Sequence, residues 1–335
     1  MFDGFANVWT AVTLARRLGR KKPLAVRLAG EKVVFFRGAD GQAAALLDRC
    51  PHRGVSLSLG KVTERGCLEC PFHGWQFDGD GRAVHVPLNP DAKKERLGAG
   101  RLPVREAGGL LWIHTAPGAD PADEPALPPA LVQPGLARTY LEVEWKAHWT
   151  RAMENMLDSP HVPFLHRRTI GRSLRPLVTD RSKMNVWWTP TPFGMRARSL
   201  LEGEGQAGSG TLLFHRPNVM VLEIPIPERV FKIHAICVPV DAEHVRMIIV
   251  GARSFATSRW LNPLFNWANA RIAAEDRAVV ESSFPVEVPP AREEASVATD
   301  RVTLHFRRYY FEALRPSSAG TPRPREVVKL PSLSA

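Results

Sequence analysis

No apolar stretch in the 335 residues approaches the roughly 18–20 consecutive residues of a membrane span, so no membrane segment is expected. The opening MFDGFANVWT has no basic segment followed by an apolar run, so it does not read as a secretory signal, and a cytoplasmic location is expected. Cysteine is scarce: four residues, Cys50, Cys67, Cys70 and Cys237, are too few for a disulfide scaffold. No Gly-x-Gly-x-x-Gly follows a strand-like segment, which excludes a bound dinucleotide of the Rossmann type; GDGR at 79–82 is a hairpin turn. Acidic residues are in deficit, 34 against 45 Lys and Arg, for a net charge of +11. The excess is scattered over Arg16, Arg17, Arg20, Lys21, Lys22, Lys93, Lys94, Arg167 and Arg168, with no basic helical stripe, so nucleic acid is not the expected partner. A basic solvated surface accounts for the charge; steering of an acidic redox partner is the sharper reading.

What is present is a globular composition, 44% hydrophobic and 24% charged, in a chain long enough for two domains. PLAVRLAGEKVVFFR (23–37) reads as short strands turned at Ala29-Gly30, and GADGQAAALLDR adds an Asp-Gly turn and another strand. The pattern continues to GGLLWIHTAPG, making residues 1–125 a β-rich, turn-rich domain. ADPADEPALPPALVQPG (119–135) is the linker. Residues 136–315 open with the strand ARTYLEVEWKA and a helix from Trp149. Strands follow in MNVWWTP, GMRARSLLEG, GTLLFHRPNVMVLEIP, RVFKIHAICVPV and EHVRMIIVGAR. A helix over about 261–283 comes next, and RVTLHFRRYYFEAL supplies another. An α+β domain with helices on one face of an antiparallel sheet fits this order. Residues 316–335 lack periodicity and read as a flexible tail.

Three of the four cysteines fall in one short stretch beside two histidines. CPHRG (50–54) and CPFHGW (70–75) offer Cys50, His52, Cys70 and His73, two thiolates and two imidazoles on two tight loops. Pro51 and Pro71 stiffen the loops, and Gly54 and Gly74 permit the turns. Such a ligand set suits structural zinc or a mixed [2Fe–2S] centre, with two cysteines on one iron and two histidines on the other. Cys67 forms a Cys-x-x-Cys with Cys70 and leaves the assignment open.

A second group lies in ENMLDSPHVPFLH (154–166). Asp158 and His161, three apart, can share a helix face. His161 and His166, five apart, stand roughly 140° from one another on an ideal helix, so a helix must bend or end between them to share one ion. Pro160 and Pro163 provide the break. Two histidines and one carboxylate make the facial triad of non-haem iron(II). Asp276 in AAEDRAVVES is a candidate for the carboxylate, against Glu275, Glu281 and Asp158, and either histidine alone would be ordinary.

Taken together the two motifs resemble the Rieske non-haem iron oxygenases, along with FANVW, LDRCPHRGVSLSLG and GDGRAVHVP in the first domain. The resemblance implies an N-terminal all-β Rieske [2Fe–2S] domain and a C-terminal helix-grip (START/Bet v1-like) catalytic domain. It assigns Cys50 and Cys70 to one iron and His52 and His73 to the other. Trp75 would pack over the cluster loop, and Cys67 would be a small half-buried extra residue. NMLDSPHVPFLH matches Asn-x-x-Asp-x-x-His-x-x-x-x-His, which implies His161, His166 and Asp276 as ligands of a mononuclear Fe(II). Asp158 would orient His161 and reach His73 of a neighbouring subunit, and Asn155 would line the same region.

The implied reaction is reductive activation of O2, with NAD(P)H oxidised by a separate reductase and a ferredoxin as an optional carrier. The implied assembly is a head-to-tail homotrimer. The length resembles the α-only branch, which includes vanillate O-demethylase-like enzymes, so monohydroxylation or oxidative demethylation of a small or polycyclic organic molecule is the leading expectation. Aromatic cis-dihydroxylation is the alternative. A non-catalytic iron–sulfur electron carrier is the competing reading from another class, and intact His161, His166 and Asp276 weigh against it. Trp187, Trp188, Phe193, Met195, Phe214 and Met220 are pocket candidates, with core packing as the competing role. Arg196, Arg198 and Arg216 are candidate carboxylate partners, with solvent exposure as theirs.

Overall fold

The structure, a computed structural model, describes residues 1–202, 207–208 and 210–315; the tail expected over 316–335 lies outside the described residues. The N-terminal part is built of short antiparallel sheets. Leu24–Leu28 and Glu31–Arg37 form a hairpin whose turn residues Ala29 and Gly30 both have positive φ (45° and 80°), the geometry that matches strand twist. Ala43–Leu47 and Arg101–Leu102 complete that sheet.

Its strand Glu31–Arg37 explains the unbroken VVFF run. Alternate side chains of a strand point to opposite faces, and here both faces are dry. Val33 and Phe35 enter the large core, whereas Val34 and Phe36 enter a smaller one that also contains Cys50, Cys70, Leu57, Leu68 and Phe77. The sequence reading leaves Trp9–Leu14 unassigned. It is a strand paired with Leu110–His114, and because all but its first residue are buried it shows no polar alternation.

The C-terminal part is an eight-stranded antiparallel sheet with helices packed on it. Its order is Ala137–Trp145, Val245–Arg253, Phe231–Pro239, Val219–Glu223, Thr211–His215, Gly194–Glu202 and Lys183–Thr191, with Ala207–Gly208 pairing to Gly194–Glu202. The run GTLLFHRPNVMVLEIP, read as one strand, is two: the chain turns at 216–218, where Pro217 has no N–H to give a ladder and follows a cis bond.

The helices are α1 (Trp149–Leu157), α2 (Val162–Leu165), α3 (Asn262–Val280) and α4 (Arg301–Tyr309), the last continuing as a π-helical turn Tyr310–Leu314. α1 buries Trp149, Ala152, Met153 and Leu157, one helical stripe. Trp149 meets Phe5, Phe306 and Tyr310 edge to face at 5.1, 5.7 and 5.5 Å, so it ties the chain's beginning, α1 and α4 into one cluster.

The two parts are also joined by backbone. Ala29 and Gly30 donate their N–H groups to the carbonyls of Pro239 and Val240, each at 2.9 Å. Asn218, fully buried, donates to the Cys237 carbonyl at 2.9 Å and lies 3.3 Å from the Thr10 hydroxyl. The large core correspondingly runs without a break from Phe2 to Leu314.

His234 sits sealed in the sheet, with Nδ1 donating to the Val250 carbonyl at 3.0 Å and Nε2 without a partner. Burial lowers its pKa from 6.5 to about 4. The fold therefore refuses a proton that the unfolded chain accepts. Stability from this site is complete above pH 6.5 and drains as pH falls towards 4, a linkage of about 3 kcal/mol. Urea unfolding at pH 7.5 and pH 5 is expected to show a shallower pH dependence in His234→Gln than in the parent; equal slopes would reject the assignment.

Candidate metal centres

The two cysteine loops are built alike. The Cys50 N–H donates to the Val55 carbonyl at 2.8 Å and the Gly54 N–H to the Cys50 carbonyl at 2.9 Å. In the second loop the Cys70 N–H donates to the Trp75 carbonyl at 2.8 Å and the Gly74 N–H to the Cys70 carbonyl at 3.0 Å. Gly54 and Gly74 close the loops with φ of 71° and 70°, a conformation that side chains with a Cβ resist. Asp48, buried just before the first loop, accepts the Ser58 N–H (2.7 Å) and hydroxyl (2.6 Å), pinning the chain beyond it.

These loops bring the sequence-derived residues together. Cys50 and Cys70 are buried free thiols in the smaller core. Burial raises the Cys50 pKa, and the adjacent Cys70 thiol adds to the rise against an opposing N–H from His52. The His52 and His73 rings lie 4.8 Å apart, and Trp75 stacks on His52 at 4.7 Å with 3° between the planes. Burial, then the neighbouring His73 and Arg53, lower the His52 pKa. Its Nδ1 is buried with no hydrogen-bond partner, a costly state that coordination to a metal would relieve. Two dry thiols opposite two imidazoles, one with an orphaned nitrogen, fit a mixed sulfur–nitrogen cluster. His73 reaches the surface, while Cys67 is half-buried, with Sγ 3.9 Å from the Arg65 carbonyl.

The second centre forms where α1 ends. The helix stops at Leu157, so Asp158 and His161 do not share a helix face as expected. Asp158 is the extended cap residue, and the chain turns through Ser159 and Pro160, where proline disfavours helical backbone before it. The contact survives through that turn: Asp158 Oδ2 accepts the His161 N–H at 3.1 Å and lies 3.2 Å from its Nδ1. His161 and His166 then flank the single turn of α2 and face each other with ring centroids 5.2 Å apart. Asp276, buried on α3, completes the group: donor atoms of His161, His166 and Asp276 all lie within 4.8 Å of one another.

Asp276 Oδ1 is the point of convergence, 3.0 Å from His166 Nε2 and 3.8 Å from His161 Nε2. It also accepts a hydrogen bond from the Asn155 amide at 2.9 Å. Both histidines thus aim Nε2 at one carboxylate oxygen while Nδ1 is held elsewhere. Burial lowers the His166 pKa, but Asp276 and then Glu275 on its two nitrogens outweigh this and raise it. For Glu275 burial acts upward, and bonds from Thr169 and His166 overcome it, so its pKa is lowered. Two imidazoles and one carboxylate converging in a buried site are the donor set of a facial triad.

From the sequence, Glu275 is only a solvated competitor of Asp276. It instead lies 2.8 Å from His166 Nδ1 and accepts from the Thr169 hydroxyl at 2.6 Å. Nothing in the sequence signals this, since the partners are over a hundred residues apart. Of the pocket candidates, Met195, Phe214 and Met220 are core, Trp187 and Phe193 are exposed, and Trp188 is half-buried against His305 at 4.1 Å. Arg196, Arg198 and Arg216 are exposed.

Comparisons with known proteins follow the same division. Residues 8–97 match the Rieske [2Fe-2S] domain, and residues 145–315 match the vanillate O-demethylase oxygenase C-terminal domain. Methylxanthine N1-demethylase NdmA of Pseudomonas putida is 28% identical over 325 residues, covering 93% of this chain and 89% of that protein. Its solved structure superposes with a TM-score of 0.75 at 26% identity, covering 91% of this chain and 89% of the other. Chlorophyllide a oxygenase of Chlamydomonas reinhardtii is 33% identical over 201 residues, 58% of this chain but only 30% of that longer protein. Dicamba monooxygenase bound to 3,6-dichlorosalicylic acid gives a TM-score of 0.74 at 21% identity over 91% and 96% of the two chains, a likeness of fold.

Proposed function

The chain belongs to the Rieske-type non-haem iron oxygenases, and from that premise we propose that it is the terminal oxygenase of a multicomponent system. It uses O2 and electrons from a separate NAD(P)H-dependent reductase, directly or through a ferredoxin, to monohydroxylate or oxidatively demethylate a small organic molecule. The observation that carries this reading is the convergence of His161 Nε2, His166 Nε2 and Asp276 Oδ1 in one buried site. Likeness to NdmA along nearly the whole of both chains supports the demethylating branch.

In this reading Cys50, Cys70, His52 and His73 hold a [2Fe–2S] cluster, which supplies one-electron storage. His161, His166 and Asp276 hold iron(II), which supplies oxygen activation when bound. The protein's own work is positional. Trp75 packs the His52 ring in place, Asp158 orients His161 through two contacts, and Asn155 fixes the carboxylate oxygen of Asp276.

We read residues 1–125 as the cluster domain and 136–315 as a helix-grip catalytic domain of the START/Bet v1 type, supported by the packing of α3 against strands Ala137–Trp145 and Val245–Arg253. A head-to-tail trimer, in which His73 of one copy approaches Asp158 of the next, is supported by exposed apolar side chains at both places: Phe72 beside His73, and Phe164 between His161 and His166. No helix among the described residues is long and apolar enough to cross a membrane. Four cysteines with no disulfide among them suit a reducing compartment, the cytosol.

Anaerobically purified protein is expected to hold about three iron and two sulfide per chain, one cluster plus one mononuclear ion. With a surrogate reductase, N- or O-methylated aromatic substrates should yield formaldehyde in an O2-dependent reaction. Zinc without sulfide would overturn the reading.

A further inference from the structure

Each residue of the triad has its own polar support. Asp158 holds His161 and Asn155 holds Asp276. For His166 the support is Glu275, whose Oε2 lies 2.8 Å from the ring Nδ1. The same oxygen accepts the Thr169 hydroxyl at 2.6 Å, and the Thr169 N–H donates to the His166 carbonyl at 2.9 Å. The residue that anchors Glu275 is therefore fastened to the backbone of the histidine that Glu275 orients. His166 itself is almost fully buried, while the Glu275 side chain keeps partial exposure.

We infer that Glu275, braced by Thr169, is a positioning residue for the mononuclear site: it accepts a hydrogen bond from the Nδ1–H of His166 and so fixes the tautomer that presents Nε2 towards Asp276. Glu275 and Asp276 are neighbours on α3, yet they address opposite nitrogens of one imidazole. One helix thus supplies both the partner ligand and the carboxylate that aims the ring. A carboxylate on the far nitrogen also makes the imidazole a stronger donor. The inference rests on the reading of His161, His166 and Asp276 as metal ligands.

The test is iron(II) affinity measured by chelator competition on anaerobic, cluster-loaded protein, with cluster absorbance as an internal control. Glu275→Ala is expected to weaken iron(II) binding about 100-fold and Glu275→Gln about 10-fold, since glutamine keeps an acceptor but not the charge. Thr169→Val should fall at or below the smaller figure. Cluster absorbance should be unchanged throughout. A role confined to general stability would lower melting temperature without this graded loss of iron. Should Glu275→Ala fail to fold, the isosteric glutamine variant decides alone. Affinity within twofold of the parent in the Glu275 variants, with His166→Ala losing iron, would overturn the inference and leave the site reading intact. Retention of iron by His166→Ala would overturn both.

Discussion

Replacing Asp276 with alanine is expected to empty the mononuclear site and lower O2-dependent product formation by at least about 10³-fold, a loss of several kcal/mol of metal-ion catalysis. The physical reason is local. Asp276 Oδ1 is the atom on which both histidine Nε2 atoms and the Asn155 amide converge. Without it two imidazoles remain, too weak a donor set to hold iron(II) against water. Neither neighbouring acid can substitute: Glu275 is engaged on the far side of His166, and Asp158 on the far side of His161. The fold should persist, because α3 rests on a large apolar core to which Asp276 adds only polar contacts. Cluster absorbance and about two sulfide per chain should therefore survive. The decisive comparison is iron per chain beside turnover in one preparation; turnover within tenfold of the parent would remove Asp276 from the ligand set.

That site was only partly legible in the sequence, and the boundary follows chain distance. The cysteine loops are local: a proline, a glycine and two ligands within five or six residues dictate a closed turn, and the hydrogen bonds of the two loops repeat one another. Asp158, His161 and His166 are local too, although the helix expected to carry Asp158 and His161 together ends at Leu157. Asp276 could be chosen over Glu275, Glu281 and Asp158 only by family likeness, because its contact with Asn155 spans 121 positions. That contact depends on how α3 lies against the sheet. Glu275 was misjudged for the same reason: an acid next to an acid on an amphipathic helix reads as solvent-facing until a distant threonine and histidine are folded onto it. Strands showed the complementary failure. Trp9–Leu14 and Glu31–Arg37 are covered on both faces, so the alternation that reveals a half-exposed strand is missing from them.

Two separate cores make the two metal centres separable by mutation. Cys50 and Cys70 lie in the small core with Val34, Phe36, Leu57, Leu68 and Phe77, whereas α1 and the catalytic sheet share the large one. Cys70→Ser is accordingly expected to abolish the cluster while sparing the other site. A serine hydroxyl is a poor ligand for iron, and the Cys70 position is nearly closed to solvent, so water cannot stand in. Cys50, whose pKa burial already raises, would face a hydroxyl with no metal charge to draw off its proton. Acid-labile sulfide and visible absorbance should fall to less than about a tenth of the parent's, and reductase-driven turnover to background, with about one iron per chain retained at His161, His166 and Asp276. Asp276→Ala gives the reciprocal pattern, cluster kept and one iron lost, so the pair forms a double dissociation. If Cys70→Ser lost all iron, cluster and triad would be coupled in assembly. If it kept its sulfide, the cluster would be held by other residues, and Cys67, three positions away, would be the first to replace.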